Sequence, residues 1–167
     1  MIAQIESQEI NLRCLELEDG DPNCQAVYRG CNEENRSYLL FRTDQGNANP
    51  EKRCDYLLID PGSNLAWYIE LKGKNHWDTA CEQLLNTFNQ FSEELAIPIE
   101  NSFFRLVSSG MRSGMRVFRS YTSYRQLLLA LPHTEKHFGL IFSSKEGLHR
   151  DFEELNSLQI IAEDAVG

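Results

Sequence analysis

Three residues between Cys54 and Lys74, in the stretch C-D-Y-L-L-I-D-P-G-S-N-L-A-W-Y-I-E-L-K-G-K, have the types and spacing to do chemistry together: Asp55, Glu70 and Lys72. They interrupt two apolar runs, Cys54 to Asp60 and Leu65 to Lys72, joined by Pro61-Gly62-Ser63-Asn64. Proline presets φ and glycine tolerates positive φ, so this cluster predicts a chain reversal and a β-hairpin. With those four residues as the loop, Asp60 faces Leu65, Leu57 faces Tyr68 and Asp55 faces Glu70. Side chains alternate along a strand, so Lys72 shares the face of Glu70, while Tyr56, Leu58, Trp67, Ile69 and Leu71 fill the other.

Adjacent carboxylates repel, and burying an uncompensated charge is costly. A divalent cation offsets both effects, and oxygen donors suit Mg²⁺ or Mn²⁺. A purely structural pairing, Glu70 with Lys72 or Asp55 with Arg53, accounts for the same residue types, because ion pairs are common on sheet surfaces.

Asp55, a turn, then Glu70-Leu71-Lys72 closing an apolar strand resembles the PD-(D/E)XK nuclease superfamily, which includes restriction endonucleases and Holliday junction resolvases. The likeness covers about 21 residues directly and about 55 with the next helix and strand. It implies an α/β fold with a restriction-endonuclease-like core, a mixed β-sheet with a central hairpin flanked by helices. It also implies that Asp55, Glu70 and the Leu71 carbonyl hold Mg²⁺ or Mn²⁺, and that Lys72 assists phosphodiester hydrolysis, with nucleic acid, most readily DNA, as substrate. Cys54 stands where the family usually has proline.

The following segment changes period. Asp78 can cap a helix whose apolar positions Cys81, Leu84, Leu85, Phe88, Phe91 and Leu95 recur at steps of three and four, with Pro98 as the stop. Gln83 lies off that stripe near the helix start. Related nucleases often carry a glutamine there, which makes Gln83 a supporting residue; a solvated helix-surface glutamine fits the pattern equally well. Asn101 to Ser109 then reads as a strand.

Upstream, alternation at Ile10, Leu12 and Cys14 slips by one at Leu15 and Leu17, which fits one bulged strand over Glu9–Glu18 with Gln25–Arg29 as its partner, a first helix being the alternative reading of the same residues. Ser37–Thr43 reads as a strand and residues 43–51 as a polar loop. Tyr124–Leu131 suits a short helix stopped by Pro132, Phe138–Ser143 a last strand, and Phe152, Leu155 and Leu158 a helical tail. His133 and His137 have helical zinc-ligand spacing but no third ligand, so they read as a solvated pair.

With 167 residues and 41% hydrophobic content, the chain suits one domain spanning residues 1–167. No long apolar run or signal-like start is present, which predicts a cytoplasmic protein with no membrane association. Five cysteines, an odd number without C-x-x-C spacing, predict small buried residues in a reducing compartment.

The net charge of −9 opposes phosphate binding. Its distribution is uneven, however: Ser102–Arg150 holds eight basic and two acidic residues, a balance of +6, and the remainder stands at −15. Arg105, Arg112, Arg116 and Arg119 are therefore the expected phosphate contacts. The acidic majority and small size fit two alternatives, a catalytically silent nuclease-like fold serving as an immunity or adaptor module, or a nuclease subunit read onto its target by a separate chain or as a homodimer.

Overall fold

A computed structural model describes residues 5, 7–44, 53–73, 76–110, 120–132, 137–148 and 164–165. The strands are β1 (Ser7–Ile10), β2 (Cys14–Glu18), β3 (Val27–Cys31), β4 (Tyr38–Arg42), β5 (Tyr56–Asp60), β6 (Leu65–Lys72), β7 (Ser102–Ser108), β8 (Phe138–Ser144), β9 (Gly147–Leu148) and β10 (Asp164–Ala165). Two α-helices are described, α1 (Trp77–Leu95) between β6 and β7, and α2 (Thr122–Ala130) between β7 and β8. The protein is thus α/β, with seven strands in the order β1-β4-β5-β6-β7-β8-β9 and three more in a separate sheet, β10-β3-β2. The large sheet is mixed, since β6-β7 and β7-β8 are parallel and the other pairs antiparallel.

The hairpin forms in the expected register, Asp60 with Leu65 and Leu57 with Tyr68. Its turn is held by one side chain. Asp60 Oδ1 accepts from the Gly62 and Ser63 backbone N–H groups at 3.0 and 3.3 Å, Oδ2 accepts from the Ser63 hydroxyl, and Asn64 takes a left-handed φ of 57°. Arg36 Nη1 completes this carboxylate's partners at 3.0 Å.

The sheet is covered on both faces, by different kinds of layer. On one face Leu57, Ile59, Ala66, Tyr68, Phe104 and Leu106 pack with Cys81, Leu84 and Phe91 of α1 and Tyr124 and Leu127 of α2. On the other, Leu58, Trp67, Ile69, Leu71, Val107 and Ile141 pack against Leu15, Leu17 and Tyr28 of the small sheet. Strands covered on both sides read as continuous apolar runs, which is why β5 and β6 carry so few polar residues. Among the described residues, the helices lie on one face and the small sheet on the other.

The slip of alternation at Leu15 marks a change of sheet. Ile10 ends β1, which pairs with β4 in the large sheet; Leu15 and Leu17 belong to β2, which pairs with β3 in the small one. Leu12, in the connection, is 56% exposed. One bulged strand is thus replaced by two strands.

Asp78 does not cap α1. His76 occupies that position with a left-handed φ of 67° and no side-chain bond, and Asp78 lies in the first turn, where its charge complements the helix dipole. The helix closes at Leu95, before Pro98, on a left-handed Ala96. The helical tail expected through Phe152, Leu155 and Leu158 lies outside the described residues, as does His133. His137 is buried and stacked on Phe103 with ring centroids 5.4 Å apart, so it is not the solvated residue expected.

Candidate active site

The hairpin register carries on one step beyond β5, so Asp55 stands opposite Glu70. Both carboxylates bond to the backbone of the neighbouring segment. Asp55 Oδ2 accepts from the Leu71 N–H at 2.7 Å, and Glu70 Oε2 accepts from the Asp55 N–H at 3.1 Å. Lys72 Nζ lies 3.0 Å from Glu70 Oε1. The three predicted residues therefore meet at one end of the hairpin, and the Glu70–Lys72 ion pair of the structural alternative is part of the same arrangement.

Burial sets the electrostatics. Glu70 is 1% and Asp55 8% exposed, whereas Lys72 is half-buried, and Asp19 and Asp44 at the rim are half-buried and exposed. Desolvation raises the Asp55 carboxyl to about 7, further raised by Asp19 and Asp44 and opposed by the Leu71 N–H and Lys72. Desolvation likewise lifts Glu70 well above the usual carboxylate range; the Asp55 charge adds to this and Lys72 opposes it. Without further positive charge, both acids hold protons more tightly than in water.

The segment before Asp55 is clamped by α1. Gln83 Nε2 donates to the Arg53 carbonyl at 3.0 Å, Thr87 Oγ1 accepts from the Cys54 N–H at 2.8 Å, and Gln90 Oε1 accepts from Arg53 Nε at 2.6 Å. On the other side, the Thr43 N–H donates to the Asp55 carbonyl at 3.1 Å, and the Thr43 hydroxyl to that of Cys54. A proline at position 54 would have no N–H for Thr87, which gives a physical reason for a residue other than proline there. Gln83 thus acts on the backbone two residues from Asp55, and its Oε1 is buried with no hydrogen-bond partner.

Arg105 is not where phosphate could reach it. Its register partner is Ile69, so it sits on the opposite face of the sheet from Glu70, 5% exposed, with Nη1 donating to the Phe104 carbonyl and the guanidinium 5.6 Å from the Phe103 ring centroid. The alternation of β7 could have revealed this, because Arg105 and Leu106 must face opposite ways. Arg112, Arg116 and Arg119 lie outside the described residues.

Asp19, Asp44 and Arg42 were missed in the sequence, since they come from distant turns and strand ends. The Tyr56 hydroxyl donates to the Glu18 carbonyl and so brings Asp19 near Asp55. Arg42 lies over Tyr56, 5.6 Å from the ring centroid, and its charge reaches Asp44.

Asp55, Glu70 and the Leu71 carbonyl supply hard oxygen donors of the kind Mg²⁺ and Mn²⁺ take. Among the described residues, no group of three or more His, Cys, Asp or Glu side chains is arranged to hold a metal ion. The chemistry of the set still fits a dication: two buried acids face one ammonium, so full ionisation leaves negative charge in excess.

What fold and site define together is an α/β protein with a buried acid pair and a lysine at the end of its central hairpin. Comparison with protein-family models, with curated proteins and with solved structures gives no match. No helix among the described residues is long and apolar enough to cross a membrane.

Proposed function

We propose that this chain is a Mg²⁺- or Mn²⁺-dependent nuclease with a restriction-endonuclease-like core, hydrolysing phosphodiester bonds in nucleic acid, DNA first. The observation that carries the reading is the convergence of Asp55, Glu70 and Lys72 around the Leu71 backbone, with both carboxyls raised by burial. Asp55, Glu70 and the Leu71 carbonyl would hold the ion, which when bound polarises the scissile phosphate and acidifies an attacking water.

The chain's own residues do the rest. Lys72, already 3.0 Å from Glu70, orients the nucleophile or meets charge developing on the phosphate oxygens. The backbone bonds from Leu71 and Asp55 fix the two carboxylates before substrate arrives, which removes reorganisation from the reaction step. Arg112, Arg116 and Arg119 would hold the substrate backbone. A recognition subunit or a second copy of the chain would supply target choice.

The test is cleavage of supercoiled and linear DNA, and of RNA, by purified protein with Mg²⁺, Mn²⁺ or chelator. Nicking that needs the ion and vanishes in Glu70→Ala, with the circular dichroism spectrum retained, supports the assignment. Equal cleavage by that variant removes it. An inert protein that instead captures a basic partner would favour the immunity or adaptor reading, to which the net charge of −9 is suited.

A further inference from the structure

We infer that Cys14 and Cys31 form a cross-strand dithiol that undergoes thiol–disulfide exchange with small-molecule disulfides and closes to an intramolecular bridge. The two residues are far apart in sequence but are direct partners in the β2–β3 register. Their position within the ladder favours bonding. The Asn32 N–H donates to the Arg13 carbonyl at 2.8 Å, which makes the adjoining Arg13–Asn32 couple a hydrogen-bonded pair and the Cys14–Cys31 couple a non-hydrogen-bonded one. In such pairs the Cα atoms stand about 4.5 Å apart and the side chains draw together. That separation falls inside the range of roughly 4.4–6.8 Å that a disulfide spans.

The side chains share the outer face of the small sheet. Leu15 and Leu17 point into the core, so Cys14 and Glu16 point away from it, and the 3.4 Å pair between Glu16 and Arg29, the next couple on that face, shows that side chains there meet across the strands. Cys14 is exposed, Cys31 half-buried, and both are thiols. Cys54 and Cys81 are buried and cannot compete.

Cys14, as the accessible member, attacks one sulfur of a disulfide such as oxidised glutathione; its proton leaves with the first thiol released, and a Cys14–glutathione bond forms. Cys31 then attacks the Cys14 sulfur, breaking that bond; the second glutathione leaves with the Cys31 proton. Two protein thiols are oxidised and one small disulfide is reduced to two thiols. The bridge ties together the open ends of a hairpin whose Leu15, Leu17 and Tyr28 cover one of the two cores.

The inference is independent of the acid pair and is tested on the full-length protein equilibrated in glutathione redox buffers. Peptide mapping should find Cys14 joined to Cys31, with an intact mass lower by two hydrogens and no retained glutathione. Cys31→Ser should trap glutathione on Cys14, and the oxidised wild type should unfold at higher denaturant than the reduced. Glutathione persisting on wild-type Cys14, a bridge from Cys24 to either residue, or a bridge between two molecules would overturn it.

Discussion

The Leu71 N–H donates to Asp55 Oδ2 at 2.7 Å, so the residue between Glu70 and Lys72 is what fixes the carboxylate opposite them. In return the Asp55 N–H holds Glu70 Oε2. Each acid is positioned by the backbone of the other's segment, and the pair behaves as one unit whose proton content depends on what cation is near.

That dependence has a sign. Burial pushes the Asp55 carboxyl up to about 7 from its ordinary value of 3.8, and Glu70 is shifted the same way. Between those values the folded protein binds more protons than the unfolded chain, so metal-free stability is greatest below about pH 4 as far as this pair is concerned, and falls as pH rises towards 7. Urea denaturation from pH 4 to 8 should show the decline in chelator and a smaller one in Mg²⁺.

Replacing Lys72 by Met removes the ammonium beside Glu70. Cleavage should drop by about 10²–10³-fold, as for loss of one electrostatic donor in an active site, and the far-ultraviolet spectrum should be unchanged. Single-turnover rates on a supercoiled substrate measure this.

Thr87→Val keeps nearly the same shape but leaves the buried Cys54 N–H without its acceptor. A loss of about 1–3 kcal/mol in denaturant unfolding is expected. Glu82, exposed on the same helix, should tolerate Gln with no measurable change.

Leu17→Ala tests whether the small sheet truly covers a core. Leu17 is buried against the large sheet, so truncation should cost about 2–5 kcal/mol. Leu12→Ala, in the connection before β2 and largely exposed, should stay within about 0.5 kcal/mol.

The hairpin was legible because its register follows from one turn and strict alternation, and the α1 stripe because Cys81, Leu84 and Phe91 repeat with the helix. The second sheet was not, since the phase slip at Leu15 looks alike in sequence whether a strand bulges or the chain crosses between sheets. Asp55, Glu70 and Lys72 could be placed together from local pairing. Asp19, Asp44 and Arg42 could not, because only tertiary packing, such as Tyr56 on the Glu18 carbonyl, brings them close. Charge summed along the chain does not reveal that Arg105 shares the buried face of Ile69, because it ignores the alternation of the strand.

Crystals grown in Mn²⁺ and measured at its absorption edge address the central claim most directly. An anomalous peak about 2.0–2.3 Å from oxygens of Asp55 and Glu70 and from the Leu71 carbonyl, absent in Glu70→Gln crystals, is the predicted result. A density map with no peak there at millimolar Mn²⁺, and with Lys72 still paired to Glu70, would contradict it.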